Sequence, residues 1–326
     1  MNKEIRKIGV LTSGGDAPGM NAAIRAIVRT ACYHNLEVMG VVRGYNGLIN
    51  GELIPMNARS VSETLQKGGT ILQTARCREF KEAAGVQRAY DTAKTYGLDG
   101  LIVIGGDGSF RGARDLTRIG LPTIAMPGTI DNDIGCSEYT VGYDTCLNTV
   151  IEAVDKIRDT SSSHERCSVI EVMGRDAGYI AINAGIACGA EVVLVPEKEY
   201  KFDADVLRVV LEGKTRGRKH SIIIVAEGVK GMSVLEMAKE IENKTGIETR
   251  ATILGHIQRG GSPSARDRVN ASLMGSKCVE LLLEGKSNRV VVMKDGQIVD
   301  IDIEEGLKMK KAIPEEMFEI AKKLST

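Results

Sequence analysis

Short apolar runs recur along the chain, each ending in glycine or charged residues and followed by a stretch with helical spacing. Lys7-Ile8-Gly9-Val10-Leu11-Thr12 reads as a buried first strand, Ser13-Gly14-Gly15-Asp16-Ala17-Pro18-Gly19 as a loop, and residues 20–31 as a helix. Residues 38–42 read as a second strand, Gly44-Tyr45-Asn46-Gly47 as a turn, and 61–67 as a short helix. A helix follows at 90–96, then a continuous apolar strand of the buried parallel type at 101–104, a helix at 110–118 and an apolar strand at 121–126. The long pattern over 140–159 puts Val150, Ile151, Val154 and Ile157 on one helical stripe. Strands at 168–172, 191–195, 221–226 and 249–254 then alternate with helices at 179–187, 203–212, 233–245 and 265–283. Two further strands, 290–293 and 297–301, flank the hairpin signal Lys294-Asp295-Gly296, and a helix over 314–324 closes the chain. This alternation predicts an α/β protein of two Rossmann-like three-layer domains with a cleft between them, lined by loops from strand ends. The expected division is 1–140 with about 258–305 against 141–257 with a C-terminal tail of about 306–326.

Composition narrows the class. At 326 residues the chain is long for one core, which supports two domains. Its formal charge is zero, so no global field favours nucleic acid or an anionic membrane, and neither is expected as a partner. Seven cysteines lie scattered with no C-x-x-C pair, which argues against a disulfide framework or zinc site and for a reducing cytoplasm. The sequence opens straight into a strand-like run, so no signal peptide is expected, and no apolar run is long enough to span a bilayer. Trp is absent and Phe scarce, leaving the core to Ile, Val, Leu, Ala and Met.

The candidate chemistry sits where strands end, which is where open α/β sheets bind ligands. Pro127-Gly128-Thr129-Ile130-Asp131-Asn132-Asp133 follows the 121–126 strand and offers two carboxylates. Asp-Asn-Asp is also ordinary turn chemistry. A further carboxylate in a glycine loop one strand earlier, Gly105-Gly106-Asp107-Gly108-Ser109, turns the reading toward a site. Between glycines, Asp107 leaves room for a phosphate-bound Mg²⁺, which prefers one or two carboxylates plus phosphate oxygens and water. Asp131 is placed to take a hydroxyl proton as that oxygen attacks a γ-phosphate. The Ser13-to-Gly19 loop before a helix is an anion-binding arrangement, and Arg25 and Arg29 share a face of that helix. Arg76, Arg166, Arg175, Arg250 and Arg259 follow or flank strand-end loops. Guanidinium groups suit phosphate because they are permanently charged and bidentate. Any one of them is an ordinary surface residue, but their recurrence points to a doubly phosphorylated site, with one phosphate transferred and another anchoring the acceptor.

Taken with Leu11-to-Asn21, Asp159-Thr160-Ser161-Ser162-Ser163-His164, Met173-Gly174-Arg175 and Gly255-His256-Ile257-Gln258-Arg259-Gly260-Gly261, these loops resemble the bacterial ATP-dependent 6-phosphofructokinases from end to end. The resemblance implies transfer of the γ-phosphate of ATP to the 1-hydroxyl of fructose 6-phosphate, the committed step of glycolysis, under allosteric control. It implies that Asp131 is the base, with Thr129, Asp133 and Arg175 beside it. Gly15, Arg76, Cys77, Gly106, Asp107, Gly108 and Ser109 match ATP positions, with Asp107 linked to Mg²⁺. Thr129, Ile130, Asp131, Met173, Gly174, Arg175, Glu227, His256, Ile257, Gln258 and Arg259 match sugar-phosphate positions. Arg166 and Arg250 match arginines supplied by a neighbouring subunit of a homotetramer. The first domain would then bind ATP and the second fructose 6-phosphate. Arg25, Arg29, Arg158, Gly189, Ala190, Glu191, Arg216, Arg218, Lys219 and His220 fall on effector positions for ADP or phosphoenolpyruvate. The chain departs from the pattern at Ala58, where some members place an effector arginine, and Arg59 comes one residue later.

Three other readings compete. Gly106-x-Gly108 invites an NAD-dependent oxidoreductase, but Gly112 comes one residue late for G-x-G-x-x-G, and no acidic residue ends the next strand. A non-catalytic sugar-phosphate sensor is expected to lose Asp131 or Asp107, and both are present. Pyrophosphate-dependent relatives carry Asp and Lys where this chain has Gly108 and Gly128, and both glycines are expected to leave room for a nucleotide.

Overall fold

The computed structural model describes residues 5–325. In chain order the first elements are β1 (Lys7–Thr12), α1 (Met20–Tyr33), β2 (Glu37–Val41), α2 (Gly44–Asn50), β3 (Leu53–Met56), α3 (Ala83–Thr95), β4 (Gly100–Gly105), α4 (Asp107–Arg118) and β5 (Thr123–Pro127). There follow α5 (Tyr143–His164), β6 (Cys167–Val172), α6 (Tyr179–Cys188), β7 (Val192–Leu194), α7 (Arg208–Thr215), β8 (Ser221–Ala226), α8 (Val234–Thr245) and β9 (Thr249–Ile253). The last are α9 (Ala265–Leu283), β10 (Arg289–Lys294), β11 (Gln297–Asp302), α10 (Ile303–Lys308) and α11 (Glu315–Leu324).

The chain divides into two compact units. The first contains the chain up to Ile130, Ile134–Thr145 and Arg259–Lys311, and the second contains Asp131–Asp133, Cys146–Gln258 and residues from Ala312 on. The break after Thr145 lies inside α5, five residues beyond the one expected from sequence, and the excursion of Asp131–Asp133 was not anticipated. The first unit holds a seven-stranded sheet in the order β11-β10-β5-β4-β1-β2-β3, parallel except for the edge pairs β2–β3 and β10–β11. Its central strands β4 and β5 are buried along their whole length, as strands covered on both faces must be. Tyr45, Leu48, Val86, Ala89, Phe110 and Ile303 of α2, α3, α4 and α10 pack on the sheet side chains Leu101, Val103 and Val290. The second unit holds a fully parallel sheet in the order β7-β8-β6-β9, with a core of Val169, Ile223, Val206, Val210, Met237 and Ile241.

Four local differences from the sequence reading have physical causes. Gly44-Tyr45-Asn46-Gly47 is no turn but the start of α2, because a Cβ on Gly47 would sit 1.7 Å from the Val42 carbonyl oxygen, so the glycine serves close packing. Residues 61–67 form successive turns instead of a helix, broken at Glu63, whose φ of 54° is left-handed. Edge strand β3 was missed because Pro55 interrupts its pattern, and proline is tolerated only at such edges. α4 begins at Asp107, so the expected glycine loop is the first turn of a helix whose N-cap is Gly106.

Candidate functional site

In the first unit, the residues expected on the donor side gather at the carboxyl ends of β1, β4 and β5. Asp107 and Gly108 open α4, and the Ser109 Oγ donates to the Ser13 carbonyl at 3.2 Å, tying the two glycine-rich loops together. A Cβ on Gly105 would lie 2.4 Å from both Ser109 Oγ and the Ser13 oxygen, so this approach requires glycine. A Cβ on Gly108 would meet nothing within 4 Å, which leaves open space at a helix N-terminus, where backbone N–H groups favour anions. Gly128 is the opposite case. A Cβ there would lie 2.9 Å from Ile104 Cγ2 and 3.1 Å from Met20 Cε, so Gly128 makes no room for a nucleotide, contrary to the sequence expectation. Arg259 lies over Gly15, and its Nη1 donates to the Asp16 carbonyl at 3.2 Å, which places it on the Ser13-to-Gly19 loop of this unit. Arg76 is exposed and Cys77 half-buried on the segment that Thr74 anchors to the Gly14 carbonyl at 2.8 Å.

Asp107 is half-buried, and no group of three His, Cys, Asp or Glu side chains suited to a metal occurs among the described residues. One carboxylate beside open space fits a Mg²⁺ that arrives with a phosphate better than a resident ion held by the protein alone.

In the second unit, Asp131 is fully buried, and Arg175 lies over it with Nε 3.2 Å from Oδ2, its own side chain 54% exposed. The bridge is built from strained backbone. Asn132 and Arg175 have φ of 52° and 53°, a conformation that non-glycine residues rarely adopt, and Gly174 has φ of 141°. Glu227, at the end of β8, holds that loop by accepting the N–H groups of Gly174 at 3.1 Å and Arg175 at 2.7 Å on one oxygen. Asp133 is half-buried beside Tyr179, whose hydroxyl is pushed up to about 12, first by burial and then by the carboxylates of Glu197 and Asp133. Two residues expected at ligand positions are, like Asp131, fully buried. Gln258 is fully buried, accepting the Met173 N–H at 3.1 Å and donating to the Gly255 carbonyl at 3.0 Å, so it supports the Met173 loop. Ile130 is fully buried and presents no surface in this state. His256 and Ile257 stand exposed on the turn after β9.

The phosphofructokinase family matches this chain over residues 7–282. The chain belongs to that family. It is 58% identical over 317 residues to ATP-dependent 6-phosphofructokinase 1 of Clostridium perfringens, covering 97% of this chain and 98% of the relative. It is 56% identical to an ATP-dependent 6-phosphofructokinase of Clostridium botulinum, covering 98% and 100%. Among solved structures, phosphofructokinase from Saccharomyces cerevisiae superposes with a TM-score of 0.87 at 34% identity, over 98% of this chain and 48% of that one. A pyrophosphate-dependent phosphofructokinase of Marinobacter aquaeolei gives 0.87 at 20% identity over 98% and 91%, a likeness of fold alone.

Most of the other expected family positions fall into two groups within the second unit. Arg166, before β6, and Arg250, on β9, both contact Glu248, at 2.8 and 2.5 Å. Among the expected effector residues, Arg158 Nη1 lies 3.2 Å from His220 Nε2, and its Nη2 donates to the Cys188 carbonyl beside Gly189. Glu191 accepts the Ile222 N–H at 2.5 Å and faces Arg218 Nε at 3.7 Å, so its carboxylate is engaged by protein groups. Ala190 is buried, while Arg216 and Lys219 point outward. Arg25 and Arg29 lie on α1 of the first unit, which also holds the exposed turn of Ala58 and Arg59 after β3, closed by the Arg59 N–H donating to Asn57 Oδ1 at 2.9 Å.

The sequence reading missed Asp267. It is fully buried on α9 and accepts from Gly142 N at 2.6 Å, Thr145 N at 2.9 Å, Thr145 Oγ1 at 2.5 Å and the Tyr139 hydroxyl. The segment it holds in turn fixes Thr129, whose N–H donates to the Val141 carbonyl at 3.1 Å and whose carbonyl accepts from Thr140 Oγ1 at 2.7 Å. No local signal in Arg266-Asp267-Arg268 announces this burial.

Proposed function

We propose that the chain is a cytoplasmic, homotetrameric kinase that moves the γ-phosphate of ATP to the 1-hydroxyl of fructose 6-phosphate, giving fructose 1,6-bisphosphate and ADP. The observation that carries this reading is the buried Asp131 under Arg175 at the Met173-to-Arg175 loop, in a chain of this family. Asp131 accepts the 1-hydroxyl proton as that oxygen bonds to the γ-phosphorus, and the bond from phosphorus to the bridging oxygen of ADP breaks. A fully buried base must first be uncovered. The same arginine that covers it carries a permanent charge suited to the phosphoryl group in flight, so anionic ligands draw Arg175 off Asp131 and onto the charge that develops. Glu227 stabilises the loop geometry that makes this exchange short. Thr129, fixed from both sides by the 139–145 segment, lies two residues before the base. On the donor side, Asp107 and the open N-terminus of α4 receive the phosphates, with Arg76 and Cys77 beside the nucleotide. Mg²⁺ bound at Asp107 would neutralise phosphate charge. Arg166 and Arg250 bind the sugar's phosphate in a neighbouring subunit's site. ATP is favoured over pyrophosphate as donor by the names of the relatives and by the open space at Gly108.

Asp131→Asn tests the assignment. General-base catalysis contributes about 10²- to 10⁴-fold, so turnover should fall by at least that order while fructose 6-phosphate still binds in a calorimetric titration. Near-normal turnover in this variant would remove Asp131 as the base.

A further inference from the structure

Arg166 and Arg250 lie on different strands, yet one carboxylate holds both. β6 and β9 pair in parallel with Ser168 opposite Arg250, and the Glu248 carbonyl accepts the Cys167 N–H at 3.0 Å, which sets Glu248 beside Arg166. Its carboxylate then divides, Oε2 facing Arg166 Nε at 2.8 Å and Oε1 accepting from Arg250 Nη2 at 2.5 Å. Arg166 and Glu248 border a cavity of about 510 Å³ that also collects Lys214 and Lys219, so the surroundings are rich in positive charge.

We propose that Glu248 is a place-holding anion: it occupies both phosphate-binding guanidinium groups while the sugar phosphate is absent and releases them to its phosphate group, thereby setting the affinity and selectivity of that subsite. The proposal rests on the role given above to Arg166 and Arg250. Two guanidinium groups gathered at one point repel each other unless an anion lies between them. A carboxylate supplies one charge and two acceptor oxygens. A phosphate monoester carries about 1.5 to 2 charges and three acceptor oxygens, so it displaces the carboxylate where weaker anions do not. The close approach of Arg166 Nε, with the charges of both arginines, holds the Glu248 carboxyl below its usual range, so it is ionised at neutral pH. Glu248 and Arg250 reach solvent, which screens their pair and keeps the cost of its release small, while the Arg166 Nε that faces Glu248 is buried.

Glu248→Gln keeps the shape and one acceptor oxygen but removes the charge. The half-saturating concentration of fructose 6-phosphate should fall about 2- to 5-fold, the range of an exposed ion pair. Turnover and the half-saturating concentration of ATP should stay at their wild-type values. Inorganic phosphate should inhibit more strongly, competing with fructose 6-phosphate, because the waiting arginines now accept any phosphate. In an Arg166→Ala, Arg250→Ala background, Glu248→Gln should change nothing. A raised or unchanged half-saturation in Glu248→Gln alone would overturn the proposal. If Arg166→Ala and Arg250→Ala bind fructose 6-phosphate as wild type does, the assignment of the arginines is what fails. The proposed activity is tested separately, by wild-type turnover.

Discussion

Gly108 and Gly128 are both glycine, for unrelated reasons, and only one of them bears on the donor. A Cβ at 128 would collide with Ile104 and Met20, so Gly128→Lys should damage folding before it affects chemistry. At 108 a Cβ meets nothing within 4 Å, and an acidic residue in the first turn of a helix is favourable to the helix. Gly108→Asp should therefore fold normally and lose affinity for ATP through charge repulsion alone, raising the half-saturating ATP concentration at least about tenfold, or 1.4 kcal/mol. Thermal melts beside initial rates check both halves of this prediction. An unchanged ATP dependence would show that the space at 108 is not where the nucleotide lies. At this scale the sequence offers candidates for the chemistry but not their exposure. Asp131, Ile130 and Gln258 read as residues of strand-end loops, and all three are fully buried. Burial is set by partners distant in sequence, here Arg175 for Asp131 and Met173 for Gln258, so a local pattern does not contain it.

Strands and their order of appearance were legible because buried parallel strands are continuous apolar runs, and β4, β6 and β8 match their sequence expectations to within a residue at each end. Helix starts were less so. α2 and α4 begin in glycine-rich stretches that composition assigns to loops, and their glycines are explained only by what a Cβ would strike or spare. The support beneath the Thr129 loop was also illegible, since Asp267 reaches it across more than a hundred residues. Asp267→Asn turns an acceptor oxygen into a donor among donors. It should cost about 2–3 kcal/mol of stability by leaving buried groups unsatisfied. If Asp267 also positions Thr129, turnover should fall in the folded fraction with little change in the half-saturating fructose 6-phosphate. Denaturant melts with kinetics at low temperature separate the two effects, and full turnover in a destabilised variant would confine Asp267 to folding.

At the scale of the whole molecule, family and activity were legible because the motifs recur in order over nearly the full length, which no single loop achieves. Regulation was less so. Arg158, Gly189, Glu191, Arg218 and His220 come together in the second unit, but Glu191 is engaged by Ile222 and Arg218, and Ala58 leaves out one arginine that some family members use. An effector must bind two states differently to shift the curve. We expect a weak response: millimolar phosphoenolpyruvate or ADP should shift fructose 6-phosphate saturation modestly in wild type and not at all in Arg29→Ala with Arg216→Ala. Ala58→Arg should strengthen the response. Equal shifts in wild type and the double variant would place the regulatory site elsewhere. The central claim is the transfer itself. It is tested most directly by initial rates of fructose 1,6-bisphosphate formation by the purified protein with Mg²⁺ and fructose 6-phosphate, using ATP and pyrophosphate in parallel. The account predicts rapid, fructose 6-phosphate-dependent release of ADP with ATP and little product with pyrophosphate. Faster reaction with pyrophosphate, or no bisphosphate from either donor, would contradict it.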